Sequence, residues 1–240
     1  MIYKIFPMSL FVFFSIFMNE VNSTDAAAFR KPETVIDLNP SSDSNIEITY
    51  NKLNSGTFSL PDMQGFKEAL KGYYELKAEG LIQKDILTLI DFSLSSNSKR
   101  LWVIDMATNT ILYNSLVAHG RNTGEEFANS FSNVNSSFKS SLGFYSTGEI
   151  YEGKHGISLK LDGLEKGIND NARARGVVMH SANYVSNSFI KSNKRLGRSQ
   201  GCPAIPEELL KGIVETVKNK SCLFIYHPSR SFEKNAPLFS

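Results

Sequence analysis

Between residues 86 and 226 the chain consists of short β-prone runs with few helical repeats between them, and this restricts its fold more than any other feature. Residues 86–92 (Ile-Leu-Thr-Leu-Ile-Asp-Phe) combine β-branched, aromatic and other apolar side chains. Residues 100–105 and 110–117 flank a short turn at 106–109 and read as a hairpin. Further short strands are expected at 142–146, 156–161, 176–180 and 222–226. Without βαβ alternation, the pattern predicts a mostly β domain, a small antiparallel β-sandwich or barrel with a few peripheral helices. Pro61-Asp62 opens one such helix, in which Phe66, Leu70, Tyr73, Tyr74 and Leu76 recur at spacings of three and four. Pro206 opens another, with Leu209, Leu210, Ile213, Val214 and Val217 on its apolar face. Residues 127–141, rich in Ser and Asn, read as a long loop.

The ends of the chain differ from this middle. Lys4 precedes an almost wholly apolar run from Ile5 to Met18, too short for the roughly 20 residues that span a bilayer. Val21-Asn22-Ser23 and Ala26-Ala27-Ala28 then offer small or short residues for cleavage. Residues 1–23 thus read as a signal peptide, with an uncleaved anchor as the alternative. Export to the periplasm, cell envelope or exterior is expected, with no stable membrane insertion after cleavage. Residues 24–58 read as a flexible lead-in, 59–230 as the folded domain with its N-terminal helix, and 231–240 as a tail. A net charge of +2 and the absence of a basic block argue against nucleic-acid binding.

Candidate chemistry centres on one loop. Leu196-Gly197-Arg198-Ser199-Gln200-Gly201-Cys202-Pro203 places a thiol between a glycine that permits a tight turn and a proline that stiffens the exit. The amides of Gln200, Gly201 and Cys202 are candidate oxyanion donors. A nearby imidazole can turn a weakly nucleophilic thiol into a thiolate. His180 is the candidate, since it ends the apolar run Gly176-Val177-Val178-Met179 just before polar Ser181; capping strand carbonyls is its structural alternative. Cys222 lies in an apolar strand, where a buried thiol fits, although export would also permit a Cys202–Cys222 disulfide. His119 and His155 sit in Gly-marked loops. His155 either lines a cleft with Tyr145 and Tyr151 or orders a turn. No Asp or Glu completes a zinc signature with these histidines, so no metal is expected. Asp162, Glu165, Asp170, Arg173 and Arg175 read as a solvated, cross-paired loop.

The segment from His180 to Ser199-Gln200-Gly201-Cys202 resembles the histidine plus Ser-x-Gly-Cys signature of L,D-transpeptidases, and in particular the murein L,D-transpeptidase catalytic-domain family. Matching blocks also occur in order at 100–105, 117–124, 140–148, 151–156 and 197–203, within a resemblance running from about residue 65 to 228. It implies a β-sandwich-like catalytic domain that forms an acyl-enzyme on peptidoglycan stem peptides, at the bond between the third residue and the terminal D-alanine. Cys202 would be the nucleophile and His180 the base, with the Ser181 carbonyl holding the imidazole tautomer and the Gly201 and Cys202 amides facing the oxyanion. No metal or organic cofactor is implied. The chain departs from the commoner pattern at Gln200, where many members carry histidine, and at Ala204, where they carry arginine. Arg198 and Ser199 are candidates to take over substrate binding, with a structural arginine within its loop as the alternative for Arg198. Three functions stay open: L,D-transpeptidation, L,D-carboxypeptidase hydrolysis, and a silent wall-binding protein with both cysteines in a disulfide.

Overall fold

Alternate side chains of a strand point to opposite faces, so a strand that is apolar at every position must be covered on both sides. The central strands of this chain are of that kind. In the computed structural model, which describes residues 40–153 and 156–230, Leu101 and Val103 of β2 (Leu101–Asp105) enter one core while Trp102 and Ile104 enter another. The strand β8 (Cys222–Tyr226) divides likewise, with Leu223 and Ile225 facing the first core and Cys222, Phe224 and Tyr226 the second.

Eight strands form one sheet. Besides β2 and β8 they are β1 (Ile86–Asp91), β3 (Thr110–Ser115), β4 (Gly143–Gly153), β5 (Gly156–Gly163), β6 (Val178–Ser181) and β7 (Ala204–Ile205), in the order β3-β2-β1-β8-β4-β5-β6-β7. Most neighbours are antiparallel, but β1 pairs with β8 and β6 with β7 in parallel. Both parallel pairs join strands separated by long crossovers, as parallel pairing requires. The sheet nearly closes on itself. Ala118, just beyond β3, exchanges hydrogen bonds of 2.8 and 3.3 Å with Ala204 of β7, linking the two ends of the strand order.

Helices cover both faces. α4 (Glu207–Val217) inserts Ile213, Val214 and Val217 into the first core. α2 (Met63–Ala78) lies over the second, its first turn capped by the Asp62 carboxylate, which accepts from the Gln64 and Gly65 amides. Gly65 and Gly72 let α2 approach closely: Gly65 rests against Tyr226, and Gly72 against the end of the Phe144 ring. Phe144 is itself stacked on Phe224 at 4.1 Å between centroids, so it has little room to yield.

The expected strands and the two expected helices are present, and residues 127–141 hold no helix or strand. The lead-in is corrected in its second half. Residues 43–51 form α1 (Asp43–Asn51), whose Ile46 is buried beneath α2, with Tyr50, Leu53 and Phe58 packed on the same core. One fully buried side chain in nine residues leaves no apolar period to read. α3 (Asn187–Asn193) and two-residue β7 were likewise unexpected. The proposed signal peptide, the first part of the lead-in and the tail at 231–240 lie outside the described residues. Among the described residues no helix is long and apolar enough to cross a membrane.

Alanine normally stabilises a helix interior relative to glycine by up to about 1 kcal/mol. Gly72→Ala should do the opposite here, because its Cβ would enter the Phe144 ring. A loss of ~1–3 kcal/mol is expected in chemical unfolding. Unchanged or raised stability would show that α2 can slide away from the sheet.

Candidate active site

β6 and β7 bring the two candidate residues together. His180 on β6 is in register with Ala204 on β7, and its amide reaches the Pro203 carbonyl at 3.4 Å. Cys202 therefore lies beside the preceding part of β6, where the Val178 amide donates to its Sγ at 3.4 Å. Val178 and His180, two residues apart on one strand, face the same side. Both line a cavity of about 570 Å3 together with Cys202. On the imidazole, Nδ1 lies 2.8 Å from the Ser181 carbonyl oxygen. A carbonyl only accepts, so Nδ1 carries the proton of the neutral ring and Nε2 carries the lone pair.

The thiol is partly exposed, and Sγ lies 3.7 Å from the Gly176 carbonyl. Burial of the sulfur pushes its pKa above the ordinary thiol value, against opposing pulls from the Val178 amide and from Arg175. A sulfur so placed needs a base to become a nucleophile. Cys222 is also a free thiol, buried in the second core, so no disulfide joins the two.

The loop around Cys202 is held on several sides. Gly201 has φ +123°, and a Cβ there would lie 2.8 Å from the Lys139 carbonyl oxygen. Ser140 Oγ donates to the Gly201 carbonyl at 3.0 Å and accepts from the Gly120 amide at 3.0 Å. Ser199 Oγ donates to the Cys202 carbonyl at 2.6 Å and accepts from the Gly201 amide at 3.0 Å. Ser199 thus shapes the loop from within. The Gly201 amide, expected to face an oxyanion, is already engaged by that hydroxyl. Among the described residues the amides of Gln200 and Cys202 donate to no protein group, which leaves those two for the role.

Other expectations divide. Tyr151 and Gln200 line the cavity. Tyr145 does not: it is fully buried in the first core, with its hydroxyl donating to the Ser141 carbonyl at 3.0 Å. Its place on β4 puts the ring on the core face. Arg198 touches the cavity, but its guanidinium is spent on the Arg121 and Gly124 carbonyls and on Glu125 at 2.6 Å, the structural alternative. Ala204 is fully buried against Leu116, Ala118, Val185 and Leu196, a packing role with no space for a long side chain. His155 lies outside the described residues. Among those described, no cluster of His, Cys, Asp and Glu fits a metal ion.

His119 is buried. Arg100 donates to its Nδ1 at 2.9 Å, and its Nε2 lies 3.2 Å from the Gly124 carbonyl, so the neutral ring bridges them with its proton on Nε2. Its backbone carbonyl accepts from the Ser199 amide at 3.0 Å, which ties this bolt to the cysteine loop. Phe138, Tyr184, Ser158 and Arg175, none singled out as cavity-lining in the sequence, complete the walls. Gly197 was the available signal for Tyr184, because its missing side chain lets the tyrosine ring lie against the loop. Of the expected solvated, cross-paired loop, Arg173 pairs with Asp162 and also with Glu149, whereas Arg175 turns inward and Glu165 is buried, bonded to the Phe144 amide and Arg230.

A family model described as an L,D-transpeptidase catalytic domain matches residues 59–226. No curated protein matches this chain. Among solved structures, an L,D-transpeptidase from Mycobacterium smegmatis is 12% identical, with a TM-score of 0.37, covering 60% of this chain and 59% of that one. The helical cell shape determining protein Pgp2 from Campylobacter jejuni is 12% identical, with a TM-score of 0.40, covering 65% and 56%. An L,D-transpeptidase (Yku) from Stackebrandtia nassauensis is 12% identical, with a TM-score of 0.36, covering 76% and 89%. The chain thus spans less than two thirds of the length of the first two.

Burial, followed by the neighbouring Arg100 charge, lowers the His119 pKa from 6.5 to about 4. Between those pH values the unfolded chain binds more protons at this site than the folded one, so stability rises with pH across the window. His119→Gln, which keeps an acceptor and a donor, should flatten that rise in unfolding measurements from pH 4 to 7. An unaltered slope would remove His119 from the acid sensitivity.

Proposed function

The chain belongs to the L,D-transpeptidase catalytic-domain family, and from that premise we propose that it transfers acyl groups on peptidoglycan stem peptides through Cys202. The observation that carries the proposal is the shared cavity of Cys202 and His180, with the imidazole tautomer fixed by the Ser181 carbonyl. Nε2 of His180 takes the thiol proton, and the thiolate attacks the carbonyl carbon linking the third stem residue to the terminal D-alanine. The tetrahedral oxyanion is stabilised by the Cys202 and Gln200 amides. As the C–N bond breaks, the imidazolium returns its proton to the departing amine, leaving a thioester on Cys202. An acceptor amine then attacks the thioester and gives up a proton to His180, and the imidazolium returns that proton to the departing sulfur, regenerating the Cys202 thiol. The substrate lies outside the cytoplasm, which agrees with residues 1–23 acting as an export signal.

Incubation with disaccharide-tetrapeptides, with and without an amine acceptor, tests the proposal by mass spectrometry of the products. D-Alanine release coupled to crosslinked product is expected. Release that leaves only the tripeptide, even with acceptor present, would instead assign hydrolysis. Cys202→Ala should lower turnover at least about a thousandfold. His180→Gln should cost about 10²–10⁴-fold while the protein stays folded. Full activity in Cys202→Ala would refute the nucleophile.

A further inference from the structure

Arg175 is a half-buried cation at the cavity with no anionic partner among the described residues. Four of its five N–H groups are used, all on neutral acceptors. Nη1 donates to the Ser132 carbonyl at 2.8 Å and to Ser141 Oγ at 2.5 Å, and Nη2 donates to the Lys139 carbonyl at 2.7 Å and to Ser137 Oγ at 3.3 Å. Among the described residues no carboxylate pairs with it, in contrast to Arg173 and Arg198. All four acceptors lie in residues 132–141, the strap that forms one wall of the cavity through Asn135, Ser136 and Phe138. Ser136 and Phe138 hold left-handed backbone angles of +56° and +53°, unusual for such residues, so the strap's path depends on contacts that hold it. Arg121 stacks over the Phe138 ring at 4.0 Å.

The same guanidinium adjoins the nucleophile. A Cβ on Gly201 would lie 3.6 Å from Nη2, and the Gly176 carbonyl, one residue beyond Arg175, approaches Sγ of Cys202. A half-buried charge with only neutral acceptors is stabilised further by a nearby anion. With so few N–H groups to spare, Arg175 is poorly equipped to clasp a substrate carboxylate in two-point fashion. The anion it can serve without moving is the sulfur.

We propose that Arg175 is a positioning residue whose uncompensated charge favours the Cys202 thiolate while its hydrogen bonds hold the 132–141 strap as a wall of the cleft. This rests on Cys202 being the nucleophile, but it can be tested without turnover. The other groups around the cavity are His180 on β6, Tyr184 beyond it, Tyr151 on β4 and Arg198 in the cysteine loop. Arg198 is neutralised by Glu125, and the Lys139 ammonium is turned to Ser130. Among the described residues, that leaves Arg175 as the cation near the sulfur whose charge is not answered by a carboxylate or an equilibrium with neutral imidazole.

The test is the pH dependence of iodoacetamide alkylation of the full chain, followed on the peptide that contains Cys202. Arg175→Gln is expected to raise the apparent thiol pKa by about one unit, slowing alkylation about tenfold below it. Arg175→Lys keeps the charge without the planar fork and should restore most of the alkylation profile, but not the protection of the strap from proteolysis. Ser137→Asp should raise the pKa by pairing with the guanidinium, and Ser137→Asn should not; this pair decides the matter if Arg175→Gln does not fold. A folded Arg175→Gln with the wild-type profile, or equal behaviour of the two Ser137 variants, would overturn the proposal. If alkylation responds as expected while Cys202→Ala remains active on muropeptides, the electrostatic role stands and the nucleophile assignment falls.

Discussion

Two backbone hydrogen bonds between Ala118 and Ala204 hold the rest of the site in place. β7 is only two residues long, and its pairing with β6 gives it a single neighbour within the sheet. The bridge to Ala118 supplies the second and fixes the segment leading out of Cys202. Both alanines are fully buried, and the small third core around them includes Leu116, Val185 and Leu196. Closure therefore demands small side chains at this seam. The same demand explains why Ala204 stands where the commoner pattern has a long arginine side chain.

From this seam the site assembles by short-range contacts. Parallel register places Cys202 near Val178 and His180 one strand position further along the same face. Gly120, Ser140 and Gly201 meet where a Cβ on either glycine would collide with backbone. The serines complete the arrangement, since Ser199 and Ser140 each both donate and accept within the loop. Burial disfavours the thiolate, and among the described residues the Val178 amide and the Arg175 charge oppose that effect, beside an imidazole whose tautomer is preset.

Much of the fold was legible because apolar strands buried on both faces leave long β-prone runs, as at 86–92 and 222–226. The helices at 63–78 and 207–217 were legible because their apolar faces repeat at helical spacing. α1 escaped detection because a single side chain anchors it, and β7 because two residues carry no period. The site was visible as a glycine-cysteine-proline turn and a histidine at a strand end. Its walls were not. Nothing in Asn171-Ala172-Arg173-Ala174-Arg175 distinguishes the arginine that pairs with Asp162 from the one that turns inward to residues 132–141. Nor does spacing reveal that Ser199 occupies the Gly201 amide, since that depends on a rotamer within the folded loop.

The covalent intermediate that acyl transfer through Cys202 would form offers the most direct measurement. The enzyme would be mixed with a disaccharide-tetrapeptide in the absence of acceptor, quenched in acid within the first turnovers, and analysed by intact mass and peptide mapping. A disaccharide-tripeptide thioester located on Cys202, formed as D-alanine appears, is the expected result. Release of D-alanine while Cys202 remains unmodified, or an adduct on another residue, would contradict acyl transfer through this cysteine.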